Sequence, residues 1–164
     1  FIQMRPGMID KNSGRERIIS LIKFRTMTNE KDKDGNLLPD EKRLTLYGKW
    51  LRSTSCDELP SLLCISKGDL SIVGPRPLLI KYLPYYTAIE RQRHTVRPGL
   101  TGLAQINGRN YLDWDKRLAF DVEYVNNISF VNDVRIIIST VFQVIKRSDV
   151  AEMRITPLNQ ERQK

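Results

Sequence analysis

Apolar positions along this chain fall into two rhythms, and each predicts a different element. Ile18, Ile19, Leu21, Ile22 and Phe24 form a β-branched and aromatic run with polar interruptions. That pattern predicts a strand ending in Lys23-Phe24-Arg25-Thr26-Met27. Leu44, Leu46, Tyr47, Trp50 and Leu51 return at helical spacing with Lys49 and Arg52 on the other side, which predicts a short helix. A second helix is expected over 57–66. It should begin near Asp57, because Pro60 lacks an amide hydrogen and is tolerated only in a first turn. Leu118, Val122 and Val125 mark an amphipathic helix over 113–127. Another is expected over 133–147, where Ile136, Ile137, Ile138, Val141, Phe142, Val144 and Ile145 give a wide apolar face.

Polar and conformationally special residues divide these segments. Residues 29–41 carry Lys-Asp-Lys-Asp-Gly and Pro39-Asp40, the chemistry of a solvated loop. Gly74-Pro75-Arg76-Pro77 excludes a helix interior and pushes Arg76 toward extended geometry. Residues 78–93 predict a helix broken or kinked at Pro84, and its Tyr82, Leu83, Tyr85 and Tyr86 suit either a core or a membrane interface. Arg97-Pro98-Gly99 has the order of a type II turn. Asn107-Gly108 is a second turn signal, which leaves a short strand or irregular loop over 100–106. The helix over 133–147 is too short and polar to span a bilayer. It can pack on the core or lie among lipid headgroups, with Arg135 and Lys146-Arg147 at its edges. The polar residues 152–164 are expected to be loosely ordered, and no internal repeat is present.

The length of 164 residues, 40% hydrophobic and 28% charged, fits one globular domain and excludes a disordered or disulfide-stapled class. The excess of 27 basic over 19 acidic residues gives a net charge of +8, which attracts phosphate as nucleic acid, anionic membrane or nucleotide. Cys56 and Cys64 are too few for a disulfide framework and suit a reducing compartment. His94 is the only histidine, which argues against multi-His zinc sites and His-paired hydrolysis. Residues 1–7 have no apolar run of the signal type, and no 18 uninterrupted apolar residues occur.

Chemistry therefore rests on carboxylates and arginines, and Asp57-Glu58 is the prime candidate. The bland reading is a capping box, Ser55 and Glu58 having the S-x-x-E spacing. Ser55 as cap, however, puts Pro60 past the tolerated turn. Asp57 as cap faces Pro60 at the third helical position, with no amide to accept from. The functional reading has one carboxylate attack phosphorus while its neighbour holds Mg²⁺, the hard cation that bridges carboxylate and phosphate oxygens. Arg52, Arg76, Arg97 and Arg109 lie in or beside Pro/Gly-defined segments, where a guanidinium fork can be aimed at phosphate.

Arg52-Ser-Thr-Ser-Cys-Asp57-Glu58-Leu-Pro60, Lys67-Gly-Asp-Leu-Ser-Ile-Val-Gly-Pro-Arg76-Pro77 and Val96-Arg-Pro-Gly-Leu-Thr-Gly-Leu-Ala-Gln-Ile-Asn-Gly-Arg109 follow in that order. Together they resemble the bacterial sugar transferase family, the monotopic polyprenol-phosphate phosphoglycosyl transferases. The resemblance runs from Arg5-Pro6-Gly7 and Lys23-Phe24-Arg25-Thr26-Met27 to about Arg147. It implies transfer of a sugar 1-phosphate from a UDP-sugar to undecaprenyl phosphate with release of UMP, the first membrane step of glycan assembly. In that ping-pong scheme Asp57 attacks the β-phosphorus, and the lipid phosphate resolves the phosphosugar-aspartyl intermediate. Glu58 matches the Mg²⁺ ligand, and Arg52 and Arg76 match phosphate-binding positions. Arg97 and Arg109 resemble parts of the nucleotide or phosphate pocket. Asp121, within Phe120-Asp-Val-Glu-Tyr-Val125, matches an acidic position of site support, whereas Asp133 reads as a helix cap. Cys64 stands where members commonly carry a polar residue.

The fold expected is α/β, mainly short helices with a small strand element, in a monotopic membrane-associated catalytic domain on the cytoplasmic face of the bacterial inner membrane. Residues 1–150 would form that domain and 151–164 a polar tail. Family members carry a hydrophobic re-entrant membrane helix at the N-terminus, and this sequence begins after that element. Two readings of other classes stand beside the enzyme. One is a non-catalytic membrane-surface partner in a glycan-assembly complex. The other is a basic nucleic-acid-binding domain, against which no helix-turn-helix, zinc-finger or RNP pattern appears.

Overall fold

The strand expected around Ile19 and Leu21 forms, and a second strand that the apolar pattern does not predict pairs with it. In the computed structural model, which describes residues 1–108, 112–146 and 156–163, β1 (Ile2–Ile9) runs antiparallel to β2 (Glu16–Ile22). Gln3 stands opposite Leu21 and Arg5 opposite Ile19, with an irregularity between Pro6 and Ile9. Opposed residues share a face, so Gln3 and Arg5 lie on the side where Ile19 and Leu21 are buried, while Ile2 and Met4 are exposed on the other. An alternation inverted in this way hides a strand from hydrophobic patterning.

After the solvated loop come α1 (Asp40–Arg43) and α2 (Leu46–Ser53). The N-terminus of α2 is closed by Thr45 Oγ1, which accepts from Gly48 N at 2.9 Å. The helix expected over 57–66 is a 3₁₀ segment, Cys56–Ser61, followed by α3 (Leu62–Ser66). Pro60 sits inside the 3₁₀ segment, and its missing donor is consistent with the tighter start. The helix expected over 78–93 is also corrected, to two 3₁₀ segments, Ile80–Tyr85 and Glu90–His94, with Pro84 in the first.

β3 (Ser71–Val73) pairs in parallel with β4 (Gly99–Thr101), which precedes α4 (Leu103–Ile106). The type II turn expected at Arg97-Pro98-Gly99 is not formed, since Gly99 has no positive φ. Glycine is needed there for close approach: a Cβ on Gly99 would stand 2.1 Å from Gly74 N. α5 (Trp114–Asn126) is capped by Asp113, whose Oδ1 accepts from Lys116 N at 2.7 Å. α6 (Phe130–Lys146) begins before Asp133, so that residue does not cap it. Asp133 instead accepts from the Tyr124 hydroxyl at 2.9 Å.

Three apolar clusters hold these pieces. Leu78, Tyr82, Tyr86, Trp114, Leu118 and Leu158 form one, which places Tyr82 and Tyr86 of the aromatic segment in the core. Ile19, Leu21, Cys64 and Leu70 form a second, and Val73, Tyr124 and Ile136 a third. The C-terminal residues 156–163 are packed rather than loose: α7 (Leu158–Glu161) buries Leu158, and Trp114 Nε1 donates to Thr156 O at 2.7 Å. Arg162 pairs with Glu90 at 2.6 Å and Asp115 at 2.7 Å. α6 buries only Ile136 fully and leaves Ile138, Val141, Phe142 and Ile145 exposed. Among the described residues no helix is long and apolar enough to cross a membrane. The architecture is mixed helix with small sheets, an α/β arrangement.

His94 is buried, with Nδ1 3.1 Å from Gly7 O. Burial and then the Arg93 charge depress its pKa to about 4 from the usual 6.5. Between those values the unfolded chain binds the proton and the folded chain does not. The associated stability is complete above pH 6.5 and drains away as pH falls toward 4, about 2 kcal/mol of it between pH 7 and 5. Urea unfolding at pH 7 and pH 5 should show that fall in the wild type and a smaller one in His94→Gln. Equal falls would contradict the assignment.

Candidate active site

Asp57 and Glu58 are set in place by backbone. Ser55, between α2 and the 3₁₀ segment, is the only described non-glycine residue at positive φ, +56°. A left-handed residue with a Cβ costs roughly 1–2 kcal/mol. The segment it launches is stitched to the end of β2: Phe24 N donates to Asp57 O at 2.9 Å, and Ser61 Oγ donates to Ile22 O at 2.7 Å. Cys64 Sγ donates to Ser20 O at 3.3 Å. The capping box is not built, as Ser55 makes no side-chain cap bond.

The Glu58 carboxylate is held elsewhere. Lys23 Nζ and Arg76 Nη2 both reach its Oε1 at 2.5 Å, and Arg76 Nη1 lies 3.5 Å from Oε2. Its side chain is 17% exposed. Burial alone would raise its pKa, but the charges of Arg76 and Lys23 outweigh that and hold it at about 2. Asp57 moves the other way: burial and the neighbouring Glu58 charge raise its pKa above the ordinary 3.8, with Lys23, Arg76 and Arg52 opposing. The adjacent acids thus part in character. Glu58 is an ion with its charge answered, while Asp57 is the more basic carboxylate beside cations.

Arg76 is itself positioned. Its carbonyl accepts from Arg93 Nη2 at 2.6 Å. Arg93 is buried, with Nη2 2.8 Å and Nε 3.0 Å from Asp121 Oδ2. Its Nη1 also donates to Tyr86 OH at 3.3 Å. Asp121 in α5 therefore connects to the Pro75-Arg76-Pro77 segment through Arg93, which sequence reasoning missed because nothing in Glu90-Arg-Gln-Arg93-His94 marks one arginine as buried.

Asp57, Glu58, Arg52, Arg76 and Asp121 line one cavity of about 1280 Å³, above the roughly 300–1,000 Å³ of ordinary small-molecule pockets. Among the described residues its wall carries eight cationic and four acidic side chains, an excess that favours an anionic ligand. One stretch of the wall is apolar, with Ile137, Val141 and Val144 of α6. Arg52 is aimed by bonds from Nε to Thr26 Oγ1 at 3.2 Å and from Nη2 to Met27 Sδ at 3.0 Å. Arg97, expected in the pocket, is exposed and not among its lining residues; its carbonyl packs against Gly74. Arg109 lies outside the described residues. Arg5, Lys23 and Arg117 line the cavity without having been singled out individually, although Arg5 and Lys23 belong to recognisable motifs.

Among the described residues no group of three or more His, Cys, Asp or Glu side chains converges as a metal cage. Mg²⁺ accompanying a phosphate substrate takes most of its six ligands from phosphate and water and needs only one or two carboxylates. Glu58 Oε2, with only the 3.5 Å contact to Arg76, and the Asp57 carboxylate fit that smaller role.

Residues 1–147 match the family model described as bacterial sugar transferase. The uncharacterized sugar transferase EpsL of Bacillus subtilis is 54% identical over 145 residues, covering 88% of this chain and 69% of that protein. The undecaprenyl-phosphate galactose phosphotransferase of Salmonella typhimurium is 42% identical over 110 residues, 67% of this chain and 23% of its own length. A UDP-glucose:undecaprenyl-phosphate glucose-1-phosphate transferase of Klebsiella pneumoniae is 40% identical over 153 residues, 87% of this chain and 32% of its own. The chain thus spans about two-thirds of the first relative and a third or less of the other two.

The Arg93–Asp121 pair yields a stability test. Asp121→Leu leaves a buried guanidinium without its counter-charge and should cost about 3–5 kcal/mol in urea unfolding, whereas adding Arg93→Met should recover much of the loss. A single variant within 1 kcal/mol of wild type, roughly the worth of an exposed pair, would contradict the burial of this pair.

Proposed function

The chain belongs to the bacterial sugar transferase family, and on that premise we propose that it is an undecaprenyl-phosphate sugar phosphotransferase of polysaccharide synthesis. The donor is a UDP-sugar and the acceptor is undecaprenyl phosphate. An Asp57 carboxylate oxygen attacks the β-phosphorus of the donor, and the bond from that phosphorus to the bridging oxygen breaks to release UMP. A phosphate oxygen of the lipid then attacks the same phosphorus and expels Asp57, leaving the sugar on a diphosphate-linked lipid. The Salmonella and Klebsiella relatives carry names of sugar-phosphate transfer with undecaprenyl phosphate, which supports the donor and acceptor classes.

The observation that carries the reading is the division of labour between the adjacent acids. Glu58 is neutralised by Lys23 and Arg76, so it does not add an unanswered charge against an approaching diphosphate. Asp57 keeps the more basic carboxylate, the better nucleophile of the two at the same pH. Arg52 and Arg76 supply forks for phosphoryl oxygens as charge moves from the attacking carboxylate to the leaving phosphate. Mg²⁺ held by Glu58 Oε2 would supply further neutralisation of the diphosphate when bound. Residence on the cytoplasmic membrane surface is supported by large exposed apolar residues on two helices, Leu46 and Trp50 of α2 and Phe130, Val131 and Phe142 of α6. The unit acting there would be residues 1–150, with 151–164 as its C-terminal extension.

The chain joined to an N-terminal membrane helix and given Mg²⁺, undecaprenyl phosphate and a panel of UDP-sugars should release UMP with one or a few donors. Asp57→Asn should abolish that release. Because the ionised form of Asp57 attacks, the rate should fall on acidification as that carboxylate protonates. Full activity in Asp57→Asn would exclude this nucleophile, and turnover undiminished by EDTA would exclude the metal.

A further inference from the structure

β1 is built inside out, and the charge it turns inward, Arg5, pairs with no acid among the described residues. Ile2 and Met4 stand 63% and 51% exposed, while Arg5 shares its face with buried Ile19 and Leu21 and lines the cavity. An aliphatic side chain at position 5 would satisfy that face better than a guanidinium does, so folding alone does not account for the charge. Arg5 Nη2 donates to the neutral amide oxygen of Gln3 at 2.6 Å, and Arg5 Nε is buried with no acceptor. Buried donors without acceptors are rare and costly. Among the described residues no carboxylate pairs with Arg5, and the nearby Glu58 is already shared by Lys23 and Arg76.

We propose that Arg5 is a phosphoryl-binding residue of this cavity, its guanidinium donating to substrate phosphate oxygens on the Arg76 side of Glu58. The anion site rests on the geometry of β1; the identity of the substrate that carries the phosphate rests on the phosphotransferase reading. Arg52 and Arg5 serve different parts of the pocket. Arg52 is tied to Thr26 and Met27, and its charge acts on Asp57. Arg5 interacts electrostatically with Arg76, Glu58, Tyr82 and Tyr86. Burial and then the charge of Arg76 depress the Arg5 pKa to about 10, with Tyr82, Tyr86 and Glu58 opposing. A phosphoryl group answers the excess positive charge of Arg5 and Arg76, and arginine meets its oxygens two at a time.

Calorimetric titration of the full chain with inorganic diphosphate tests the site without turnover. Arg5→Gln should weaken binding about tenfold or more, the scale of a lost charge-assisted pair. Arg5→Lys, which keeps charge but loses Nε and the fork, should fall between, and it decides the matter if Arg5→Gln does not fold. Affinity within twofold of wild type in a folded Arg5→Lys and Arg5→Gln, or no diphosphate binding by wild type, overturns the proposal. Steady-state kinetics then name the source of the phosphate. A raised KM for UDP-sugar assigns Arg5 to the donor diphosphate, and a raised KM for undecaprenyl phosphate assigns it to the lipid phosphate. Arg5-dependent diphosphate binding by a chain that shows no turnover even when joined to an N-terminal membrane helix would remove the phosphotransferase reading and keep the anion site.

Discussion

Three chain segments meet at the carboxylate of Glu58, and the cavity depends on that meeting. Lys23 arrives at the end of β2, Glu58 on the 3₁₀ segment after Ser55, and Arg76 on the loop between Pro75 and Pro77. Without the acid, two cations would face each other at the cavity wall, Lys23 mostly buried and Arg76 partly exposed. Without the cations, a mostly buried carboxylate would protonate. Each group is tolerable only because the others are present, and the arrangement leaves a wall of excess positive charge with a single adjacent carboxylate, Asp57, poised beside it.

The rest of the fold keeps those segments in register. Backbone bonds from Phe24 to Asp57 and from Ser61 to Ile22 fasten the 3₁₀ segment to β2. On the other side Arg93, itself neutralised by Asp121, grips the Arg76 carbonyl, and Gly74 lies so close to Gly99 that neither tolerates a side chain. The positive φ of Ser55 fits the same picture, as local strain tends to collect where a functional group must be aimed. A buried ion pair such as Arg93–Asp121 adds little net stability over apolar residues of the same size. Its value here is directional.

Much of this was legible in the residues and some was not, for identifiable reasons. The helices around Trp50, Leu118 and Ile136 follow from apolar spacing, and the Asp57-Glu58 pair stands out because Pro60 spoils a capping role. β1 stays hidden because its polar face is the buried one. The segment around Tyr82 carries helical spacing, yet Pro84 holds it to 3₁₀ turns that spacing cannot distinguish. Gly99 announces a turn by its neighbour Pro98, whereas its actual constraint is the backbone of Gly74, which only tertiary contact reveals. The partners of Glu58 lie 35 and 18 residues away, so no local pattern pairs them.

The central claim is electrostatic: Glu58 stays ionised because Lys23 and Arg76 share it, and Asp57 is the carboxylate that titrates. Carbon-detected NMR of side-chain carboxyls between pH 4 and 6 reads both groups directly. The account predicts no titration of Glu58 across the ordinary glutamate value of 4.5 and a shift of Asp57 with its midpoint above 3.8. A Glu58 midpoint near 4.5, with Asp57 fully ionised throughout, would contradict it.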